Sequence, residues 1–401
     1  MFKAYKYRIY PNEEQKEFIA KTFGCVRKVY NLMLEERIKN YELEKETGVK
    51  SKLPTPAKYK KEYPYLAEVD SLALCYAQLN LNKAYSNFFR RIKNQDSKHG
   101  FPKFKSKNNP VQSYTTCKSQ ICDNISIIDN KYLNLPKFKE PVCIRLHRKF
   151  KGIIKSVTIS KTSTNKYYAS VLFDDGEKEV IPTTIIPEQT LGLDLGLKHY
   201  LIDSNGNKID NQKFLNKSLE KLQIAQKIFS RKKKWSNNRE KQRLAVARCH
   251  EKITNQRNDF IHKLTHKLAY DNQVTSFAIE NLNIKGMVKN RKLSRHISDS
   301  AWGNFIRCLE YKCKDLGKNV IKIDRFAPSS KTCNNCGHIL DKLSLSTRYW
   351  DCPECHTHHD RDINAARNIK DFAVIGHCTR KENLHMEINS NMSKGTSLCL
   401  V

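Results

Sequence analysis

Two Cys-x-x-Cys pairs, Cys333/Cys336 and Cys352/Cys355, stand fifteen residues apart, and no other feature so narrows what this chain can fold into. Two residues between the members of a pair let both sulfurs of a knuckle reach one ion, and two such knuckles close a tetrahedron of thiolates. Four sulfurs leave no open coordination position, so the expectation is a ribbon around one structural Zn²⁺. His338, His356, His358 and His359 crowd the same segment, but four cysteines already suffice. The other cysteines of the fourteen, such as Cys25, Cys75, Cys143, Cys249 and Cys308, sit mostly in apolar or helical contexts, where a free thiol acts as a small core residue. Lys3, Lys6 and Arg8 lie where a signal peptide needs its apolar stretch, so a reducing cytoplasm is the expected compartment.

Around that knuckle pair the chain is long and basic. Its 401 residues allow two or three domains, and 73 Lys+Arg against 41 Asp+Glu leave a net charge of +32. Such an excess implies a polyanionic partner or an anionic surface. No apolar run approaches the roughly 18–20 residues of a spanning helix, so a soluble protein without a membrane is expected. Residues 1–10 alternate as a strand, and helical stretches follow over about 12–43 and 70–95. In the second, Ala77, Leu81, Ala84, Tyr85 and Phe88 fall on one face. Residues 112–180 are β-rich, and Pro182 to Pro187 reads as a linker. Leu191–Leu195, Tyr200–Asp203, Ser276–Ile279 and Val320–Ile323 then read as short strands. One long helical pattern spans 215–271, a second helix lies near 299–316, and a third starts at about 362.

Three acids fall at the ends or starts of these elements. Asp194 closes the run Leu191-Gly192-Leu193, Glu280 closes Phe277-Ala278-Ile279, and Asp362 opens the last helix. A carboxylate closing a buried strand is costly unless it lies at an edge or holds a cation. Three brought together repel one another, and divalent cations relieve that repulsion. Two Mg²⁺ ions about 3.5–4 Å apart at such a cluster support in-line phosphodiester hydrolysis. From residue types alone Asp360 rivals Asp362 as the third ligand, and Asp362 also suits a helix cap.

Longer motifs carry a resemblance. Leu191-Gly192-Leu193-Asp194-Leu195-Gly196, Ile279-Glu280-Asn281-Leu282-Asn283-Ile284-Lys285-Gly286-Met287, Pro328-Ser329-Ser330-Lys331-Thr332-Cys333 and His359-Asp360-Arg361-Asp362-Ile363-Asn364-Ala365-Ala366 closely resemble the TnpB family of insertion-sequence proteins. The likeness covers about residues 1–372. It implies an α+β multidomain protein: a nucleic-acid-binding lobe over 1–187, then a RuvC-like, RNase H-type α/β nuclease domain over 188–372. The lobe would be a β-barrel (1–11 and 112–181) with an inserted helical bundle (12–111) and a linker (182–187). The zinc ribbon would occupy 329–358, and 373–401 would be a variable, flexible tail. The resemblance assigns the catalytic Asp–Glu–Asp to Asp194, Glu280 and Asp362, choosing Asp362 over Asp360. It implies an RNA-guided DNA endonuclease that uses Mg²⁺ and cuts double-stranded target DNA beside a short flanking motif. The guide RNA would come from the transposon end, and the protein would act as a monomer in a prokaryotic cytoplasm. The rival readings are a transposase acting in strand transfer and a guide-directed repressor that does not cut.

The basic residues are then expected to hold nucleic acid. From Lys227 to Arg257 the chain has eleven Lys/Arg, among them Arg231, Lys232, Lys233, Lys234, Arg239 and Arg243, against only Glu240 and Glu251, with Trp235 interleaved. Such residues contact phosphates without reading sequence. Lys6 and Arg8 between Tyr5, Tyr7 and Tyr10, and Lys103 and Lys105 around Phe104, suit phosphate contact beside aromatic stacking.

Overall fold

The alternation of residues 2–10 forms strand β1 (Phe2–Tyr10), with Tyr7 and Ile9 buried and Lys6 and Tyr10 exposed. Asn12 then starts α1 (Glu13–Thr47) with a capping box: its side chain accepts from the Gln15 amide (2.8 Å) while Gln15 Oε1 accepts from the Asn12 amide (3.0 Å). The structure, a computed structural model, describes residues 1–376 apart from 51, 96–99, 120–122, 272 and 345. Chain contacts divide it into two compact units, Met1–Lys178 and the residues from Glu179 onward.

In the first unit, α2 (Lys58–Glu62) and α3 (Ser71–Lys93) follow α1, and Asp70 caps α3 by accepting from the amides of Leu72 and Ala73. Helix α1 buries Ile19, Phe23, Val29 and Met33; α3 buries Ala77 and Leu81, while Ala84, Tyr85 and Phe88 are half-buried. Six more strands come after the helices: β2 (Gln112–Cys117), β3 (Ser126–Ile128), β4 (Tyr132–Asn134), β5 (Val142–Arg145), β6 (Ile153–Lys161) and β7 (Tyr167–Asp174). They form one antiparallel sheet with β1 in the order β2-β6-β7-β1-β5-β4-β3. Among the described residues the outer strands β2 and β3 do not pair, so the expected barrel is a half-barrel. The outer strand β3 has only three residues, and all three pair with β4. Cys75 and Cys143 are exposed, contrary to a core role, whereas Cys25 and Cys308 are buried.

The second unit is built on β8 (Thr190–Asp194), β9 (His199–Asp203), β10 (Lys208–Asp210), β11 (Ser276–Ile279) and β12 (Asn319–Lys322), ordered β10-β9-β8-β11-β12. Strands β8, β11 and β12 run parallel and β9 antiparallel to β8. All four residues of β11 are buried, as a central parallel strand requires. Where the sequence reads as one helix over 215–271, the structure has two, α4 (Phe214–Arg231) and α5 (Asn237–Ala269). Neither Gly nor Pro marks the break. Trp235 turns the chain at φ +69°, and Ser236 caps α5 through the Arg239 amide. Folding back lets the buried Leu222 and Ala225 of α4 face α5, where Gln242 Nε2 donates to the Ala225 carbonyl (3.0 Å). After α6 (Ile284–Met287), the helix expected near 299–316 is α8 (Trp302–Asp315), preceded by a short α7 (Ser294–Ser300) from which Ala301 at φ +50° separates it.

A two-stranded hairpin, β13 (Tyr349–Asp351) and β14 (His358–Asp360), leads into the last helix, α9, over 361–376. Residues 373–376, assigned from sequence to a flexible tail, continue this helix, and the rest of that tail lies outside the described residues. Gly192 in β8 lets α9 approach. A Cβ there would run into the Ala366 carbonyl and come within 2.9 Å of the Lys370 amide. Only glycine lets sheet and helix meet so closely. No helix of the described residues is long and apolar enough to cross a membrane.

Candidate active site and metal centre

Asp194 ends β8 and Glu280 directly follows β11. The last registered pair of these parallel strands is Leu193 with Ile279, so the two acids stand side by side at one end of the sheet. Burial, then the charge of Glu280 and that of Asp362, push the Asp194 carboxyl up to about 8. Glu280 and Asp362, from positions far apart in sequence, thus lie within electrostatic reach of Asp194, although among the described residues only the four cysteines stand close enough to form a ready metal-ligand group. The Asp194 side chain is nonetheless half-buried rather than sealed, because it sits at the open end of its strand.

Asp360 and Asp362 divide the work at the start of α9. Asp360 Oδ1 accepts from the amides of Asp362 (3.0 Å) and Ile363 (3.2 Å), and its Oδ2 pairs with Lys208 (2.5 Å). It is the helix cap, which corrects the cap role open to Asp362. Asp362 keeps its carboxylate free of the helix; its nearest cation is Arg348, 3.5 Å away.

Two residues at this site escape a reading of acids alone. Ser329 Oγ donates to Glu280 Oε1 at 2.6 Å, and Arg348 faces Asp362. Both belong to the segment of the cysteine knuckles, which is bound to α9 by two buried asparagines. Asn364 donates to the Thr332 carbonyl (2.7 Å) and accepts from the Asn334 amide (3.0 Å), while Asn368 donates to the Ser329 carbonyl (2.7 Å). Ser329 lies inside a motif legible in the sequence; Arg348 has no spacing signal.

The knuckles bring Cys333, Cys336, Cys352 and Cys355 together, with their sulfurs within 4.8 Å of one another. The Cys333–Cys355 and Cys336–Cys352 separations are both 3.6 Å. Four sulfurs bound tetrahedrally at about 2.3 Å stand about 3.8 Å apart, so the cluster fits zinc without rearrangement. Hydrogen bonds from Thr357 and Asn335 hold the Cys355 thiol well below its usual range, toward the thiolate a metal requires. Of the crowding histidines, His359 alone among the described residues is placed against a sulfur: Nε2 lies 3.0 Å from Cys333 Sγ, and its ring packs on Trp350. His338 faces Glu354, and His358 faces Asp351.

The basic candidates are spread over both units. Lys6 and Arg8 lie over the Tyr168 ring at 4.6 and 5.1 Å, on the outward face of the half-barrel. Lys103 is exposed, and Lys105 sits over Tyr30 at 4.1 Å. Arg231 ends α4 and Lys232, Lys233 and Lys234 form the turn after it. Two of the candidates serve the hairpin itself. Arg239 donates to the carbonyls of Phe229 (3.1 Å) and Lys232 (2.8 Å), and Arg243 pairs with Glu240 (2.6 Å).

Comparison with known proteins agrees with this architecture. A family profile described as "Probable transposase" matches residues 175–291, and one described as "Cas12f1-like, TNB domain" matches 302–369. A Streptomyces pristinaespiralis protein with the printed name "Putative RNA-guided DNA endonuclease" is 38% identical over 372 residues, covering 92% of this chain and 88% of the relative. The chain belongs to the TnpB family. The family member InsQ of Escherichia coli K12, with the same printed designation, is 28% identical and covers 91% of each chain. Among solved structures, the Cas12f1–sgRNA–target DNA complex aligns with a TM-score of 0.53 at 15% identity, covering 92% of this chain and 98% of that one. The last likeness shows a shared fold. A profile described as "Helix-turn-helix domain" matches residues 1–46, where the structure has a strand and one uninterrupted helix.

Proposed function

We propose that this chain is an RNA-guided DNA endonuclease encoded by an insertion sequence, with Asp194, Glu280 and Asp362 as its catalytic acids. The observation that carries the reading is the placing of Asp194 beside Glu280 at one end of the parallel strands β8 and β11, where burial first, and then the charges of Glu280 and Asp362, push the Asp194 carboxyl up. Such a cluster favours binding cations over standing alone. Its hard oxygen donors suit Mg²⁺, two ions in the full site, which would supply an activated nucleophile and neutralise the leaving oxygen. The chain's own residues do the positioning. Ser329 orients Glu280, Asp360 anchors the helix that presents Asp362, and Arg348 stands ready to face a phosphate beside Asp362.

The same reading assigns 1–187 to nucleic-acid binding and 188–372 to a RuvC-like nuclease domain. The ribbon at 329–358 would hold one structural Zn²⁺. Base pairing of a transposon-end guide would select the target, while Lys and Arg side chains hold backbone phosphates. The protein would act as a monomer within a cytoplasmic ribonucleoprotein.

The test purifies the protein from cells carrying its native flanking DNA, sequences the RNA that accompanies it, and offers a plasmid library with a matching target beside randomised flanks. Copurified RNA and Mg²⁺-dependent cutting beside one flanking motif are expected. Cutting that survives Asp194→Ala overturns the acid assignment, and absence of both RNA and cutting overturns the function.

A further inference from the structure

The turn between α4 and α5 has a composition that its folding does not require. Trp235 is 96% exposed, the highest exposure among the large hydrophobic residues described, and the other two tryptophans, Trp302 and Trp350, are 2% and 7% exposed. A tryptophan in water forgoes the burial of a large apolar surface. Trp235 also holds φ at +69°, a left-handed conformation that is strained for a non-glycine side chain. A glycine would make this turn more easily, and Arg239 and Ser236 already satisfy the helix ends around it. Strain and exposure at one residue, with no packing in return, point to a role outside the fold.

The surroundings say what that role is. Arg231, Lys232, Lys233 and Lys234 directly precede Trp235 and are all exposed, and none of them forms an ion pair among the described residues. A flat aromatic face beside four exposed cations is complementary to a nucleobase with its flanking phosphates. An apolar protein groove would gain nothing from the cations, and an acidic peptide would gain nothing from the indole. We propose that Trp235 stacks on an unpaired or end-exposed nucleobase of bound nucleic acid while Arg231–Lys234 neutralise the adjoining phosphates. This deepens the reading of the chain as an RNA-guided nuclease and rests on it.

Because the other tryptophans are buried, the acrylamide-quenchable emission of the whole protein reports Trp235. The purified protein, stripped of RNA and then recombined with the RNA that copurifies, is titrated first with RNA and then with matching DNA. Quenching of the emission and protection from acrylamide are expected on one of these additions. The RNA step assigns the base to the guide, and the DNA step assigns it to the target. Base stacking is worth about 1–3 kcal/mol, so Trp235→Ala should weaken that binding step by about 5- to 150-fold. Trp235→Phe should retain most of it. Trp235→Gly should raise the thermal midpoint, by removing strain, while weakening binding as alanine does, a split that a merely structural residue would not give. Emission that stays fully accessible after both additions, in a preparation that still carries RNA and cuts DNA, overturns the stacking role alone. Equal affinity of the alanine and phenylalanine variants overturns it too.

Discussion

The cysteine cluster and the acidic cluster lie in the same unit, yet they are assembled in opposite ways. Four sulfurs gather from one stretch, Cys333 to Cys355, by two tight knuckles and a hairpin. Asp194, Glu280 and Asp362 come within electrostatic reach of one another because β8 and β11 pair in parallel and α9 lies against Gly192. The first centre is local chain geometry; the second is a property of the packed sheet. They are also wired together, since the ribbon segment supplies Ser329 to Glu280 and Arg348 to Asp362. A local centre should therefore fail locally and drag its neighbour, whereas the acids can fail without disturbing the cysteines.

Removing zinc should have the largest effect. Structural zinc contributes on the order of 10 kcal/mol to small zinc domains, so Cys352→Ser should reduce bound zinc well below one per chain. Hydrogen exchange should rise over 333–359, and DNA cutting should fall as Ser329 and Arg348 lose their support. Unchanged exchange there, with zinc lost, would break the link drawn between the two centres. Next, Asp194→Ala should lower cutting by about a thousandfold or more, the loss of several kcal/mol of charge stabilisation, while metal analysis still finds one zinc per chain.

The raised Asp194 carboxyl gives a subtler test. Its folded value of about 8 lies above the 3.8 of a free aspartate, so the folded state binds the extra proton between those limits. Stability from this group is therefore full below about pH 4 and is lost as pH rises toward 8. In EDTA at pH 8, Asp194→Asn should melt higher than the native protein, and the difference should shrink at pH 5. Added Mg²⁺ should raise the native midpoint and leave the variant's nearly unchanged. A native protein that melts equally with the variant at pH 8 would show that the acids do not share one field. The smallest effect is expected from Ser329→Ala, which removes one hydrogen bond to a carboxylate, worth about 1.5–3 kcal/mol at most. Cutting should drop by about ten- to a hundredfold with zinc content and melting nearly unchanged.

Much of this was legible because some signals are short-range. The cysteine spacing, the apolar runs ending in Asp194 and Glu280, and the Asn12 capping residue each depend on a few neighbours. The choice between Asp360 and Asp362 was not open to residue types, since the two acids flank the start of the same helix. Two backbone amides show that Asp360 holds the helix start, which leaves the Asp362 carboxylate unengaged by the helix. The break after Arg231 was hidden for a related reason: the residues of 232–236 include no glycine or proline, and the turn is imposed by α4 packing back on α5.

By itself, then, the sequence determined which residues can ligate metal, where apolar strands end in acids, and that a charge of +32 suits a polyanionic partner or an anionic surface. Ligand type and knuckle spacing are covalent properties of the chain. The tertiary structure alone decided that the acids share one field, that Ser329 and Arg348 join them, that Arg239 serves a helix end, and that Trp235 stands in water. Those outcomes depend on strand register, a glycine-sized gap and a chain reversal, and each comes from packing between residues far apart in sequence.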